Sequence, residues 1–300
     1  METPPCIKPG SKIRIVSPAG KVDEKYVISA VEWLQNQGYQ VILGKHVFAR
    51  HYQFAGTDSQ RLSDLQTAID DPETACIICS RGGYGTMRII EKLNCNALHN
   101  HPKWIVGFSD ITVLHACLNK FGLATIHGVM PRYFLNNGEP TENLQSLMQI
   151  LTTGKISYSF ESNKLNRTGK ASGELMGGNL SVISSLHGTK YDIETSGKII
   201  FIEDINEYLY HIDRMMHQLK MTGKLDKPAG LIVGDFTDMK DNQQPFGKTI
   251  HEIIAEAVQN FSFPVAYGFP AGHNKKNLAL VFGKKWELSV SDKKSELKLL

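Results

Sequence analysis

The sequence predicts an α/β protein built on a parallel sheet, because apolar runs of strand length alternate with longer segments of helical periodicity. Lys12 to Ser17 is a first strand, Glu24 to Gly38 a helix with one apolar face, and Tyr39 to Leu43 a second strand. This β-α-β order is typical of parallel sheets, in which a helix carries the chain back between neighbouring strands.

The same alternation continues to about residue 151. A helix from Gln60 to Asp70 has Leu62, Leu65 and Ile69 spaced for burial, and Ser59 or Asp58 suits its cap. The elements predicted after it are a strand Ala75–Cys79, a helix Thr86–Leu93, a strand Trp104–Phe108 with a helix directly after it, a short strand Ala124–Gly128 and a helix Thr141–Leu151.

A change of composition marks a domain boundary. Residues 152–173 are rich in Gly, Ser, Thr, Asn and Lys. We therefore predict an N-terminal α/β domain over 1–155, a linker region over 156–172 and a C-terminal β/α domain over 173–300. The elements predicted in the last domain are strands 172–178, 198–202, 231–234 and 265–268, helices 180–186, 209–221 and 249–258, and antiparallel strands 278–282 and 286–290.

Bulk properties exclude several classes of protein. The net charge is only +3 without a dense basic run, which argues against nucleic-acid binding. No secretory signal and no apolar run of membrane-spanning length is present, so we expect no membrane partner and a cytoplasmic location. Five cysteines without a framework spacing fit reduced thiols. Cys76-x-x-Cys79 lies in an apolar strand and is predicted to be core rather than a redox pair.

Ser109 stands between a buried strand and a helix. Asp110 and Thr112 suit a helix start, and Ile111, Leu114 and Leu118 recur on one helical face. A strand that enters a helix through one Ser places the hydroxyl on a sharp turn beside the positive helix end, as in a nucleophile elbow. The pattern lacks the last Gly of G-x-S-x-G, so simple helix capping stays open as the alternative.

The loop Ser80–Gly85 also joins a strand to a helix and contains three glycines. It has the first two glycines of a dinucleotide fingerprint, but Arg88 stands in place of the third, and the loop follows the third strand rather than the first. This disfavours a nucleotide-dependent oxidoreductase. Glycines still let backbone N–H groups approach negative charge, as an oxyanion hole requires, and a tight turn without a ligand is the other interpretation.

A Ser nucleophile needs a general base and an acidic group that orients the base. Among eleven histidines, His273 lies in a Gly-Pro-rich loop after a strand, where a catalytic base is expected, and His127 is its main rival. Glu203 ends an apolar run and suits the orienting carboxylate. Asp204 and Asp235 are the other candidates, and capping or turn formation is the alternative role for all three.

Seven short motifs occur in an order that resembles the LD-carboxypeptidase family of serine peptidases, a group that also holds the microcin C immunity peptidases. They are Ser17-Pro-Ala-Gly20, Arg81-Gly-Gly-Tyr-Gly85, Gly107-Phe-Ser-Asp-Ile-Thr112, His127-Gly128, Gly177-Gly-Asn-Leu180, Phe201-Ile-Glu-Asp204 and Gly272-His273-Asn274. The resemblance spans nearly the whole chain. It implies a flavodoxin-like N-terminal domain, a C-terminal swivelling β/α domain and usually a homodimer.

The resemblance also implies the chemistry of the site. Ser109 would be the nucleophile, Glu203 the orienting carboxylate and His273 the general base. The oxyanion hole would be formed by the backbone N–H groups of Gly83 and Asp110, with no metal or organic cofactor. Within the glycine loop, the residues expected to contact substrate are Arg81, Gly82 and Tyr84.

The resemblance also implies a reaction, and two other functions stay open as alternatives. The usual reaction is cleavage of the L-to-D peptide bond that releases terminal D-alanine from murein tetrapeptides in cell-wall recycling. An immunity-type peptidase acting on a peptidyl-nucleotide is the nearest rival, but residues 161–174 hold no Trp, Tyr or Phe that could form an aromatic platform for a base. A non-enzymatic protein that binds murein fragments is the third hypothesis, and the intact Ser-Glu-His set argues against it.

Overall fold

The computed structural model describes all 300 residues and divides into two compact units. The first unit contains Met1–Lys155 and Leu278–Phe282, and the second contains Ile156–Asn277 and Gly283–Leu300. The chain therefore leaves the second unit near its end, adds a short segment to the first, and returns.

The helices and the strands are each numbered in chain order. The helices are α1 (Glu24–Asn36), α2 (Asp58–Asp70), α3 (Ala97–Asn100), α4 (Thr112–Lys120), α5 (Glu142–Thr153), α6 (Leu180–Ser185), α7 (Leu209–Met221) and α8 (Ile250–Ala257). The strands are β1 (Lys12–Val16), β2 (Gln40–Leu43), β3 (Thr74–Cys79), β4 (Trp104–Gly107), β5 (Thr125–His127), β6 (Leu135–Asn136), β7 (Glu139–Pro140), β8 (Ser157–Glu161), β9 (Gly169–Asn179), β10 (Ile199–Ile205), β11 (Gly230–Thr237), β12 (Val265–Tyr267), β13 (Leu280–Phe282), β14 (Lys285–Val290) and β15 (Lys294–Leu299).

The first unit is a flavodoxin-like sheet, which confirms the predicted fold class. Its strand order is β13-β5-β4-β3-β1-β2, with β1 to β5 parallel and β13 antiparallel to β5. The central strands β3 and β4 are almost wholly buried, as expected for parallel strands covered on both faces. In such sheets ligands bind at the carboxyl ends of the strands, where the loops after β3 and β4 lie.

Two local predictions in the first unit are wrong. Residues 86–93 form two 3-10 turns, Thr86–Arg88 and Ile90–Lys92, instead of one helix. Helix α2 is capped by Thr57, whose side chain forms a capping box with Gln60, rather than by Asp58 or Ser59.

The buried stripe of α2 also differs from the prediction. Leu62 is only partly buried, whereas Arg61 is 1% exposed and faces inward beside Leu65 and Ile69. The reason is that α2 lies over the loop after β3, where the guanidinium of Arg61 finds backbone carbonyls to bind.

The second unit has one sheet with a parallel and an antiparallel half. Its order is β12-β11-β10-β9-β14-β15-β8. The long strand β9 belongs to both halves, because its last residues pair parallel to β10 and its first residues pair antiparallel to β14. The parallel half therefore brings the ends of β9, β10 and β11 to one edge of this unit's sheet.

The predicted domain limits differ from the observed division. The segment 156–172 is no separate linker, since it forms β8 and the start of β9 in the second unit. Strand β13, predicted within the C-terminal domain, pairs with β5 of the first unit. Just before β13, the Ala279 N–H donates to the Ser146 hydroxyl of the first unit at 3.1 Å. The polar composition of 156–172 reflects strands with one exposed face.

All five cysteines are free thiols, and Cys76 and Cys79 are buried in β3. Burial raises the pKa of both thiols, as is typical of cysteines that serve as core residues. None of the helices combines the length and the hydropathy that a membrane span requires.

Candidate active site

Ser109 adopts a left-handed backbone conformation, with φ of +67°, directly after β4. For a residue with a Cβ this conformation costs about 1–2 kcal/mol, and such strain is concentrated at functional sites. A 3-10 turn, Ser109–Ile111, then leads into α4. Gly107 is required at the preceding corner, because a Cβ there would lie 2.9 Å from Ile111 side-chain atoms. The segment thus has the geometry of a nucleophile elbow.

His115 supports this turn from beneath. Its Nε2 donates to the Gly107 carbonyl at 2.9 Å, and the ring is 1% exposed. Burial lowers its pKa to about 4, so the ring is neutral at physiological pH and acts as a hydrogen-bond donor. His115 therefore has a structural contact to the elbow rather than a solvent-facing position.

The Asp110 side chain does not cap its own helix, which differs from the expected role. Its Oδ2 accepts the Thr86 N–H at 2.8 Å, across to the end of the glycine loop. Asp110 is 4% exposed, and burial raises the pKa of this carboxyl, although the N–H groups of Thr86 and Gly85 oppose the shift. This hydrogen bond thus connects the turn at Ser109 to the end of the glycine loop.

The glycine loop lies against Ser109. A Cβ at Gly82 would be 2.9 Å from Ser109 Cβ and 3.1 Å from its Oγ, so only glycine fits this approach. The Gly82 carbonyl accepts the Gly20 N–H at 2.9 Å, and in a trans peptide the next N–H, that of Gly83, points the opposite way.

Two backbone donors near Ser109 are left without acceptors. The Gly83 N–H donates no hydrogen bond within the protein. The Asp110 N–H belongs to the first turn after Ser109, whose first internal bond is donated by Ile111, to Phe108. Unsatisfied N–H groups at a helix start and beside glycines are suited to binding an anionic oxygen.

The remaining loop residues differ in their availability. Arg81 is exposed, and its Nη1 donates to the Lys21 carbonyl at 2.6 Å. Tyr84 is 47% exposed, with its ring 6.0 Å from that of Phe54. Both side chains are accessible at the loop that contacts Ser109.

In the second unit, the structure brings Glu203 and His273 together. His273 Nδ1 donates to Glu203 Oε2 at 2.7 Å. Because a carboxylate only accepts, this bond fixes the proton on Nδ1 and leaves Nε2 as the basic nitrogen of the neutral ring. Glu203 is 0% exposed, and its Oε1 is buried without a hydrogen-bond partner.

The charge of Glu203 governs the basicity of His273. Burial by itself lowers the pKa of His273, but the negative charge and hydrogen bond of Glu203, with a contribution from Asp204, raise it above the ordinary value of 6.5. A base that gains a proton during catalysis is favoured by this arrangement, because the carboxylate stabilises the imidazolium as it forms.

The other two carboxylate candidates have different partners. Asp204 is held by the Ser181 N–H and hydroxyl at 2.9 and 2.7 Å and by Asn179 Nδ2 at 2.8 Å. Asp235 bonds with the Asn274 side chain. Burial raises the pKa of each to about 6, and the negative charge of Glu203 adds to the shift. Glu203 thus binds the imidazole through a hydrogen bond, whereas Asp204 binds Ser181 and Asn179 and Asp235 binds Asn274.

Close backbone approaches in the second unit explain glycines that the sequence left without a role. A Cβ at Gly177 would be 1.9 Å from the Phe201 carbonyl, and one at Gly272 would be 3.1 Å from Glu203 Oε2. Asn277, which sequence reasoning did not identify, accepts the Gly272 N–H at 3.0 Å and holds the loop before His273.

His127, the rival base, lies in the core of the first unit. It is 0% exposed in β5, with its ring 5.8 Å from Phe108 and 5.7 Å from Phe282. A wholly buried ring among aromatic side chains cannot exchange protons with a substrate, so His127 is a packing residue.

The fold and these residues define an enzyme of the serine hydrolase class. Residues 13–128 match the model of the LD-carboxypeptidase N-terminal domain, and residues 172–288 match that of the LD-carboxypeptidase C-terminal domain. The chain belongs to the LD-carboxypeptidase family.

Individual relatives agree with the family models over nearly their full length. A Bacillus subtilis (strain 168) protein named "Probable murein peptide carboxypeptidase" is 35% identical over 97% of this chain and 92% of its own. The crystal structure of muramoyltetrapeptide carboxypeptidase from Oxalobacter formigenes superposes with a TM-score of 0.88 at 30% identity, covering 96% of this chain and 98% of that one. The Escherichia coli microcin C7 self-immunity protein MccF is 26% identical over 92% of this chain and 89% of its own.

Proposed function

We propose that this protein is a serine carboxypeptidase that cleaves the L-to-D peptide bond of murein tetrapeptides and releases terminal D-alanine. The observation that carries the proposal is the strained backbone of Ser109 beside two unsatisfied backbone N–H groups. The substrate class is supported by relatives named for murein peptides that match this chain over almost its whole length.

The proposed catalytic residues are Ser109, His273 and Glu203. His273 Nε2 takes the Ser109 proton while Oγ bonds to the scissile carbonyl carbon, and the Gly83 and Asp110 N–H groups stabilise the oxyanion. The C–N bond then breaks, and the imidazolium protonates the departing amine of D-alanine. Water, deprotonated by His273, releases the peptide from Ser109 and restores the enzyme. Throughout the cycle the Glu203 carboxylate orients the imidazole ring and stabilises its positive charge when the ring is protonated.

The loop residues Arg81, Gly82 and Tyr84 supply substrate contacts in this proposal. Arg81 is an exposed cation near the nucleophile, suited to the terminal carboxylate of the peptide. Gly82 gives the chain room to approach Ser109, and the accessible Tyr84 ring offers an apolar face.

The test is release of D-alanine from a murein tetrapeptide by the wild type and by Ser109→Ala, with a tetrapeptide ending in L-alanine as the specificity control. We expect release by the wild type only from the D-terminated peptide, with turnover lower by about a millionfold in Ser109→Ala. Ser59→Ala, at an exposed position of α2, controls for the substitution itself. Equal release by both enzymes would show that Ser109 is not the nucleophile.

A peptidyl-nucleotide is the alternative substrate class, because one relative is a microcin C7 self-immunity protein. The same pair of enzymes is therefore assayed with an aminoacyl-sulfamoyl nucleotide. Cleavage of that compound without D-alanine release would replace the muropeptide assignment and leave the serine mechanism intact.

We also propose that the enzyme acts in the cytoplasm as a homodimer. Five free cysteines, three of them buried, suit a reducing compartment. Sedimentation equilibrium of the full chain tests the oligomer, and a mass corresponding to a single chain at all concentrations would contradict it.

A further inference from the structure

The Arg61 guanidinium is a buried cation that binds two backbone carbonyls near the nucleophile. Nη1 donates to the Pro18 carbonyl at 2.6 Å and to the Gly85 carbonyl at 2.8 Å. Nη2 pairs with Asp58, and the cation lies 5.0 Å from the Phe54 ring centroid. Removing a guanidinium from water is unfavourable, so a buried Arg is retained where its directed hydrogen bonds have a use.

The peptide unit joining Gly85 and Thr86 is held at both ends. Its carbonyl, on Gly85, accepts from Arg61, and its N–H, on Thr86, donates to Asp110 Oδ2 at 2.8 Å. A peptide unit is planar, so bonds to both its polar groups fix its position and orientation together. Gly85 has φ of +142°, and a Cβ there would be 2.5 Å from Arg61 Nη1. The contact therefore requires glycine at this position.

The held peptide ends the loop that contacts the nucleophile. Gly82 touches Ser109, and Asp110 directly follows it. At the other end of the loop, the Gly82 carbonyl accepts a hydrogen bond from the Gly20 N–H. Gly20 stands two residues after Pro18, whose carbonyl Arg61 also binds. The loop that carries the Gly83 N–H is thus attached at both ends, and one of these attachments is the residue that supplies the second N–H.

We propose that Arg61 and Asp110 are positioning residues that clamp the Gly85–Thr86 peptide and so fix the Gly83 N–H relative to the Asp110 N–H. The inference rests on the proposed function in one respect, namely that these two N–H groups form the oxyanion hole. Neither side chain needs to touch the substrate, because each acts through the backbone.

The clamp predicts a selective loss of transition-state binding. An oxyanion is bound well only when its donors lie 2.7–3.1 Å from it, and loss of one donor costs about 10²–10³-fold in kcat. If the loop is loosened, the Gly83 N–H still forms a weaker hydrogen bond to the oxyanion. We therefore expect kcat to fall about 10–100-fold, with KM changed less than about threefold.

Arg61→Lys is the main variant, because it keeps the charge but cannot direct one planar group at both carbonyls and Asp58. Arg88→Lys is the matched control. Arg88 binds the same Asp58 and lies 5.4 Å from the same Phe54 ring, but it is half exposed and its guanidinium donates to neither carbonyl. Its backbone N–H, which Arg88→Lys keeps, donates to the Gly85 carbonyl at 3.2 Å. We expect the control to keep wild-type kcat.

Asp110 is tested by Asp110→Asn and Asp110→Ala. The amide oxygen of Asn can still accept the Thr86 N–H, so Asn is expected to retain most of the activity that Ala loses. Equal losses in both variants would contradict the clamp, because they would show that charge rather than the hydrogen bond matters.

A second measurement separates positioning from general damage. The rate at which a fluorophosphonate probe labels Ser109 reports the nucleophile and oxyanion donors for any substrate class. We expect Arg61→Lys to label at least about tenfold more slowly while its melting temperature stays above the assay temperature. Wild-type labelling and kcat in folded Arg61→Lys would overturn the clamp.

The labelling experiment also separates this inference from the proposed substrate. If the wild type labels at Ser109 but releases no D-alanine, the muropeptide assignment fails and the clamp is still tested by the variants. If Ser109 does not label in the wild type, the serine mechanism itself fails, and the clamp fails with it.

Discussion

At the scale of single residues, the contact between Glu203 and His273 makes a prediction about pH. The carboxylate raises the pKa of His273 above 6.5 against the effect of burial. In its proposed role as general base His273 must be neutral, so wild-type kcat/KM should fall as pH drops through this raised pKa. In Glu203→Gln the carboxylate charge is gone and burial lowers the pKa, so the acidic limb should move to lower pH.

Glu203→Gln should also lower kcat on the plateau of the pH profile by about 10³–10⁴-fold. The reason is that no carboxylate remains to stabilise the imidazolium and to fix the tautomer of the neutral ring. A pH profile of D-alanine release checks both effects, with Glu287→Gln at an exposed position of β14 as the control. An unshifted acidic limb in Glu203→Gln would mean that another group titrates.

The strained backbone of Ser109 makes a prediction about stability. Gly adopts φ near +67° without the steric cost that any Cβ incurs, so Ser109→Gly should be more stable than Ser109→Ala by about 0.5–1 kcal/mol after the entropy of Gly is counted. Both variants should be inactive. Thermal melting of the two variants measures the difference.

The control pair is Ser63→Gly and Ser63→Ala, at an exposed position in the interior of α2. There the order should reverse, because Gly in a helix interior is less favourable than Ala by about 1 kcal/mol. The same order at both sites would contradict stored strain at Ser109.

At the scale of elements, the glycine loop between β3 and the first 3-10 turn is fitted to the elbow. Gly82→Ala would place a methyl 2.9 Å from Ser109 Cβ and 3.1 Å from the Phe108 carbonyl, which is closer than carbon atoms pack. The loop or the elbow must move, so we expect kcat to fall by about 10²-fold or more.

D-alanine release by Gly82→Ala and Gly138→Ala checks this expectation. Gly138, in the turn between β6 and β7, has φ of +85° and open space around its Cβ position, so its substitution strains the backbone without crowding. Gly138→Ala should lose stability but keep kcat. Wild-type turnover in Gly82→Ala would show that the close approach is not needed.

The sequence predicts strands well where both of their faces are apolar. Strands β3 and β4 are recognisable as apolar runs because both faces are buried. Strand β15 went unrecognised, because only two of its buried residues, Leu297 and Leu299, are apolar, and the third is Ser295. It forms a hairpin with β14 directly before it, whereas its other partner, β8, lies far away in the chain, and no local signal carries that second pairing.

The site shows the same division between local and distant information. The sequence points to Ser109, Glu203 and His273 because each comes at or after the end of an apolar run, and such runs are visible in the sequence. In the structure Ser109 and His273 follow strands, and Glu203 lies within β10. Arg61 could not be predicted, because an Arg on a helix is usually exposed. The signal available was its spacing, since it stands four residues before the buried Leu65.

At the scale of the whole molecule, the two units are not consecutive in sequence. The first unit's edge strand, β13, is separated from β5 by the greater part of the second unit. A fragment of residues 1–155 therefore lacks β13 and leaves the edge of β5 unpaired, with the Ser146 hydroxyl deprived of the Ala279 N–H.

We expect this fragment to be less stable than the same fragment joined through a flexible linker to residues 278–282. Circular dichroism melting and the fraction that stays soluble compare the two. The control fusion carries Val281→Asp, which places a carboxylate at a buried position of β13 and should abolish the gain. Identical stability of all three would show that β13 is dispensable.

The return of the chain through β13 has a consequence for protein synthesis. Domains usually fold in turn as the chain is made, the N-terminal one first. Here the sheet that carries Ser109 cannot be completed until residue 282 has left the ribosome, by which time nearly the whole second unit has been made. Ser109, Glu203 and His273 are thus all translated before the first sheet closes, so a nascent chain that stalls before β13 has an incomplete first unit.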